Sequence, residues 1–145
     1  MYIKTVSFLI FCSALIFSQC SKNNSEDPVP RDPDVPGEYF AYIKNYSDKM
    51  WIGTYSDSIA NKMKSVTGTD NQLWIGGGVI PDSNMKYGFY FDPNTVLMAE
   101  ATVEGMQITI QQISQDPVYY QNNGWPNGLT DHAWYVKAKF LVYRE

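Results

Sequence analysis

Residues 86–104 read KYGFYFDPNTVLMAEATVE, and the way this stretch divides decides the fold. Aromatic side chains alternate from Tyr87 to Phe91 and stop at Asp92-Pro93, where the proline ring locks φ and withdraws a ladder donor. Leu97, Ala99, Ala101 and Val103 then fall on one face of a second extended run, because side chains alternate along a strand. Two such runs joined by a short polar turn predict a hairpin, and so an antiparallel sheet.

Working upstream, LWIGGGVI (residues 73–80) raises the question of a phosphate cradle. Such a loop needs its glycines between a strand and a helix start. Here they lie within one β-like run followed by the turn PDSN, which predicts a strand with a bulge or a close backbone approach at Gly76–Gly78. Before it, SDSIANKMKSV (56–66) offers Ser56 as N-cap and spaces Ile59, Met63 and Val66 for one face of a short helix, with Gly68 ending it. The stretch EYFAYIK (38–44) alternates as a strand, with Trp51 assigned to a connecting loop.

Downstream, EGMQITIQQISQD (104–116) fits both periods: Met106, Ile110 and Ile113 make a helical stripe, and Met106, Ile108 and Ile110 alternate. PVYYQNNGWPNGLTD (117–131) reads as a turn-rich loop, and HAWYVKAKFLVY (132–143) as a long closing strand.

The full chain of 145 residues suits one domain, since single domains commonly run to about 100–150 residues. Residues 1–19 read as a signal peptide, with Lys4 ahead of an apolar run that is short for a bilayer span of about 20 residues. Cleavage before Cys20 removes Cys12 and leaves one cysteine, so the mature chain has no disulfide partner for it. A cysteine immediately after such a run resembles the acceptor of bacterial lipoproteins, although Phe17 and Gln19 depart from the usual flanking residues. Diacylglycerol on Cys20 would hold the protein to a membrane, at about 0.8 kcal/mol per buried methylene. Residues 20–36 are then the acylated cysteine and an extended Pro/acidic tether, and 37–145 the globular domain. The polar stretch after Cys20 is similar to export signals of surface lipoproteins in Bacteroidetes. The expected location is the cell envelope, at the outer membrane, or the medium if Cys20 is unmodified.

Without Lys4 the chain has 10 basic residues against 15 acidic ones, a net of −5. Nucleic-acid binders carry a basic stripe, which this composition does not offer.

The run GFYFDPNTVLMAEATVEGMQI (88–108), with SIANKMKSV and LWIGGGVI before it and NNGWPNG after it, resembles the family of N-terminal domains named for the seventy-four-kilodalton calmodulin-binding protein. Asp92, Pro93, Glu100 and Glu104 occupy that family's motif positions. Gly105, Met106 and Gln107 stand where the family has Val-Cys-Asp. The resemblance implies an α+β fold, a small antiparallel sheet of about five strands with two helices in the order βαβββαβ. It also implies helix over 104–114. Calmodulin binding does not follow, because its targets are basic amphipathic helices and this domain is acidic.

No cofactor or metal is expected: one histidine, His132, and one acylated cysteine supply too few ligands for zinc. No nucleophile elbow accompanies His132. Glu100 and Glu104 would share a strand face about 13 Å apart, wider than the ~6.5–9.5 Å of an inverting glycosidase. A small secreted glycosidase-like hydrolase using the two glutamates and His132 is the alternative. The favoured reading is a non-enzymatic binding module, with Tyr119, Tyr120 and Trp125 as a surface for glycan or peptide and Asp92, Glu100, Glu104 and His132 as further polar candidates.

Overall fold

The computed structural model describes residues 31, 33–102, 105 and 107–145. The expected signal peptide, Cys20 and most of the expected tether lie outside the described residues, as do Val103, Glu104 and Met106. None of the described helices is long and apolar enough to cross a membrane.

Alternation writes most of the sheet. β1 (Tyr39–Asn45) turns through Tyr46 and Ser47 into β2 (Asp48–Thr54), in register from Tyr39 opposite Thr54 to Asn45 opposite Asp48. Tyr46, at φ +54, takes the left-handed conformation that two-residue hairpin turns require. The stretch around Trp51 is therefore a strand and not the expected loop. Met50, Ile52 and Thr54 point one way, and Trp51 packs at a tilt against Tyr42 on the other face at a centroid distance of 5.1 Å.

The helix α1 (Asp57–Val66) forms where expected: the Ser56 hydroxyl accepts from the Ile59 N–H, and Ile59 and Met63 are buried. Gly68 follows with φ +75, a left-handed conformation that suits glycine just past a helix end. β3 (Gln72–Pro81) lies beside β6 (Ala133–Arg144), which also pairs with β1, so β6 is central. All these pairings are antiparallel.

The decisive stretch folds differently from a hairpin. β4 (Phe89–Phe91) and β5 (Leu97–Ala99) both pair with β3, at Val79–Pro81 and Trp74–Gly76, as two pieces of one interrupted edge strand. Between the pieces, Asp92–Val96 occupies five positions where β3 spends only Gly77 and Gly78. The excursion is sealed by hydrogen bonds: Asp92 N–H donates to Gly78 O at 2.8 Å, and Gly78 N–H donates to Thr95 Oγ1 at 2.9 Å. Gly77 leaves room for it, and Gly76 leaves room for β6 on the other side. A Cβ on Gly77 would lie 2.7 Å from Thr95 Oγ1, and one on Gly76 would lie 1.9 Å from the Trp134 carbonyl oxygen. The expectation of close backbone approach at the triplet is met by the sheet's own neighbours.

The six-stranded sheet has the order β2-β1-β6-β3-β4, with β5 also on β3. Its far edges approach each other. Tyr87 Oη accepts from the Lys49 N–H at 3.1 Å, and the Pro93 carbonyl accepts from the Thr54 hydroxyl at 3.4 Å and the Tyr55 N–H at 3.5 Å. The edges meet through side chains and loop atoms, with no ladder between β2 and β4.

The core lies on the face where Ile43, Ile52, Ile75, Val79, Val136 and Phe140 converge with Ile59 and Met63 of α1. A register shift between Tyr42 and Ile43 leaves Leu141 unmatched, so β6 buries Val136, Ala138 and Phe140 and then changes parity. That change brings Tyr143 onto the core.

Two further helices replace what was expected as helix 104–114 followed by a loop. α2 (Ile110–Gln115) starts late because Thr109 and Gln112 form a reciprocal capping box, while Gln107 makes a parallel bridge to Tyr135. α3 (Pro117–Asn122) opens on Asp116 as cap, with proline in its first turn. The class is α+β, and the element order is ββαβββααβ, the expected order with β2 and α3 added.

Among the described residues, Asn45 is the buried side-chain amide that joins these parts. Its Nδ2 donates to Lys137 O at 2.9 Å, and its Oδ1 accepts the Ile110 N–H at 3.1 Å. Asn45→Ala is expected to cost about 1–3 kcal/mol, the penalty of stranding buried polar groups. Urea denaturation checks it, and an unchanged midpoint would contradict the role.

Packing also extends ahead of Gly37, where the tether was expected to be free. Val35 is buried, and Arg31 O accepts the Trp51 indole N–H at 3.0 Å, so Arg31 and residues 33–36 strap over β2.

Candidate functional site

The 117–131 segment was expected as a loop bearing Tyr119, Tyr120 and Trp125. The structure gives it a helical first half and a hydrogen-bonded second half. α3 is held at both ends by side chains: Asp116 Oδ1 accepts the Tyr119 N–H, and Asn122 and Asn123 donate to the Val118 and Tyr119 carbonyls. Its seat is Trp134 on β6. The indole N–H donates to Tyr120 O at 3.0 Å and Asn123 O at 2.6 Å, and the Tyr120 ring meets the indole edge-on at 5.1 Å.

Tyr120 is therefore an anchor. It is half-buried against the core, and burial pushes its phenol pKa up. Tyr119 stands edge-on to it and is 52% exposed.

Past α3, Trp125 bridges Ala133 in an antiparallel pair, which fixes its backbone and leaves the ring 50% exposed. Asn127, which the sequence reading passed over, fastens the rest. Its Oδ1 accepts the Leu129 and Thr130 N–H groups, and its Nδ2 donates to Thr95 O and Tyr135 Oη, each at 3.1 Å. Its signal in the sequence is Asn-Gly after Trp-Pro, an Asx-turn pattern.

Among the described residues, six large hydrophobic side chains are exposed, and four of them, Val118, Tyr119, Trp125 and Leu129, belong to this segment. Apolar side chains left in water on a backbone with this many fixed bonds could dock with little further ordering of the chain.

The polar candidates are dispersed. Asp92 serves its own turn: Oδ1 accepts both the backbone and side-chain amides of Asn94 at 3.0 Å. Glu100, exposed, directly follows β5, whose last pair sets Ala99 opposite Trp74. His132, exposed, directly precedes β6, whose first pair sets Ala133 opposite Gly78. Those pairs lie four positions apart along β3, roughly 13 Å, and on its opposite sides. Glu104 lies outside the described residues. Among those described, no three His, Cys, Asp or Glu side chains gather as a metal site.

Tyr39 and Asp57 make the tightest polar pair near the start of α1. The phenol donates to Asp57 Oδ1 at 2.6 Å, and that carboxylate holds its pKa up at about 12. The pair is exposed and ties β1 to α1, and Glu38 and Tyr143 are near enough to add to the same upward push.

No family model, no curated protein and no solved structure matches this chain.

Proposed function

We propose that the protein is a lipid-anchored component of the bacterial cell envelope whose domain is a non-enzymatic binding module, similar in kind to the calmodulin-binding-protein N-terminal domains. Its contact surface is the 117–131 segment, presented to a glycan or a peptide. The observation that carries this reading is the concentration of exposed apolar side chains on that one hydrogen-bonded segment. Flat rings flanked by the amides of Gln121, Asn122 and Asn123 suit either ligand, because each offers apolar faces and hydrogen-bonding edges together. The apolar run that ends at Cys20 supports the anchor. The strand ends that carry Glu100 and His132, roughly 13 Å apart along β3 and on its opposite sides, weigh against the hydrolase alternative, which needs them beside one bond.

Trp125→Ala combined with Tyr119→Ala is the direct test. Both side chains are half in solvent and neither supports the core, so folding should be intact by circular dichroism. On glycan and peptide arrays the double variant is expected to lose at least tenfold of any wild-type signal. Equal signals would remove the surface from consideration. Mass spectrometry of the mature N-terminus, expected to show acylated Cys20, tests the anchor separately.

A further inference from the structure

The rolled sheet leaves a concavity where Arg31, Asp34 and Val35, β2 and the 85–89 segment come together, with no lining residue in α3. It encloses about 240 Å³. At ~30 Å³ for each water in the liquid, that is room for about eight waters, or a fragment the size of one substituted ring.

Its walls are of two kinds. Met50, Trp51, Met85 and Phe89 line it with apolar surface. Trp51 and Phe89 are fixed by burial, while thioethers such as Met85, half-buried here, adapt to a guest's shape. At the same cavity, among its described lining residues, Arg31, Lys49 and Lys86 stand against a single carboxylate, Asp34. This is an inversion of the protein as a whole, which carries a net charge of −4.

Two of the neutral polar groups at the cavity, the Trp51 indole and the Tyr87 phenol, are already engaged. The Trp51 N–H is committed to Arg31 O. Tyr87 Oη accepts from the Lys49 N–H and from Lys86 Nζ, and donates toward Asp48 at 3.4 Å. Lys86 is held at the site by that 2.9 Å bond and by its place 4.6 Å from the Tyr87 ring centroid. An ammonium has three donors, so the bond to Tyr87 leaves Lys86 others to offer. What a guest meets is an apolar floor and a cationic rim, the arrangement that selects a carboxylate with a hydrophobic body.

We propose that this cavity is a binding site for a small organic anion, a monocarboxylate carried on one aromatic ring or a branched aliphatic chain, with the hydrocarbon against Trp51 and Met85 and the carboxylate at Lys86 and Arg31. The site shares no lining residue with the 117–131 surface.

Phenylacetate and its neutral isostere phenylacetamide serve as probes against the full chain, with saturation-transfer NMR and isothermal titration as readouts. Phenylacetate should bind saturably at one site, and the amide at least tenfold more weakly. Lys86→Met, a change at an exposed position that leaves the apolar wall intact, should weaken phenylacetate at least tenfold, and Arg31→Gln should weaken it further. Trp125→Ala should leave the affinity unchanged, which separates this site from the α3 surface. The proposal is overturned by absence of saturable binding, by equal affinity for acid and amide, or by wild-type affinity in both Lys86→Met and Arg31→Gln.

Discussion

Gly76→Ala is expected to destabilise the domain by about 3 kcal/mol or more, enough to leave much of it unfolded at 37 °C if its stability lies near the low end of the usual ~5–15 kcal/mol. Gly76 sits in β3 between Leu97 of β5 and Tyr135 of β6, so its backbone is paired on both sides. The added methyl would lie 1.9 Å from the Trp134 carbonyl oxygen, a backbone atom of the central strand that cannot swing aside as a side chain could. Either β3 separates from β6 or the residue distorts, and both break ladder bonds. Gly78→Ala is the matched control. The nearest atom there is Thr95 Oγ1 at 3.4 Å, ordinary contact, so the change should stay within about 1 kcal/mol of wild type. Urea denaturation of the pair gives the comparison, and equal midpoints would show that the close approach has no energetic weight.

Phe140→Ala should cost about 3–5 kcal/mol, the usual range for truncating a fully buried ring. Phe140 has no exposed surface and belongs to the cluster shared by the sheet, α1 and α2. It lies opposite Ile43 at the point where β6 shifts register, and its carbonyl accepts the Gly68 N–H at 3.0 Å just beyond α1. Neighbours on so many elements cannot all collapse into the void, which places the cost toward the upper end of that range. Phe140→Leu, which keeps most of the volume, should lose appreciably less. Guanidinium titrations with constant slopes would confirm both, and a loss under 1 kcal/mol for the alanine variant would contradict the packing described for this ring.

Local chemistry explains what could be read in advance. Ser56, Ile59 and Met63 announce α1 because the cap and the stripe are both sequence-local, and the alternation of Ala133–Arg144 announces β6 for the same reason. The expectation for α2 began too early because Met106 and Ile110 have helical spacing, yet Thr109 and Gln112 carry the capping-box signature at the true start. α3 was legible in the same way, from Asp116-Pro117 at its head, and was obscured by the run of turn-forming asparagines after it. Trp51 was set in a loop, although Met50, Ile52 and Thr54 alternate around it; the flanking Asp48-Lys49 masked the pattern.

The split of the edge into β4 and β5 was not legible, because it depends on which partner accepts the two runs. Alternation says that Phe89 and Leu97 begin extended segments, but not that both prefer β3 to each other. The candidate surface divides in the same manner. Trp125 and Tyr119 are exposed as expected, whereas Tyr120 turned inward because Trp134, fourteen residues away in sequence, supplies it with a ring. The cavity beneath the strap was invisible for a similar reason: Arg31, Trp51 and Met85 meet only after the sheet has rolled.

The broken strand has a consequence for how copies of this chain coexist at high density. An unpaired backbone border is a template for adding a stranger's strand, the first step of aggregation. On one side that border is cut into two three-residue lengths that are out of step with each other. On the other, the outward Lys49 and Tyr55 amides are already capped by Tyr87 and Pro93 of the same molecule. Neither side offers an incoming chain a continuous row of free donors, so crowding should concentrate the protein without zipping its sheets into a fibre.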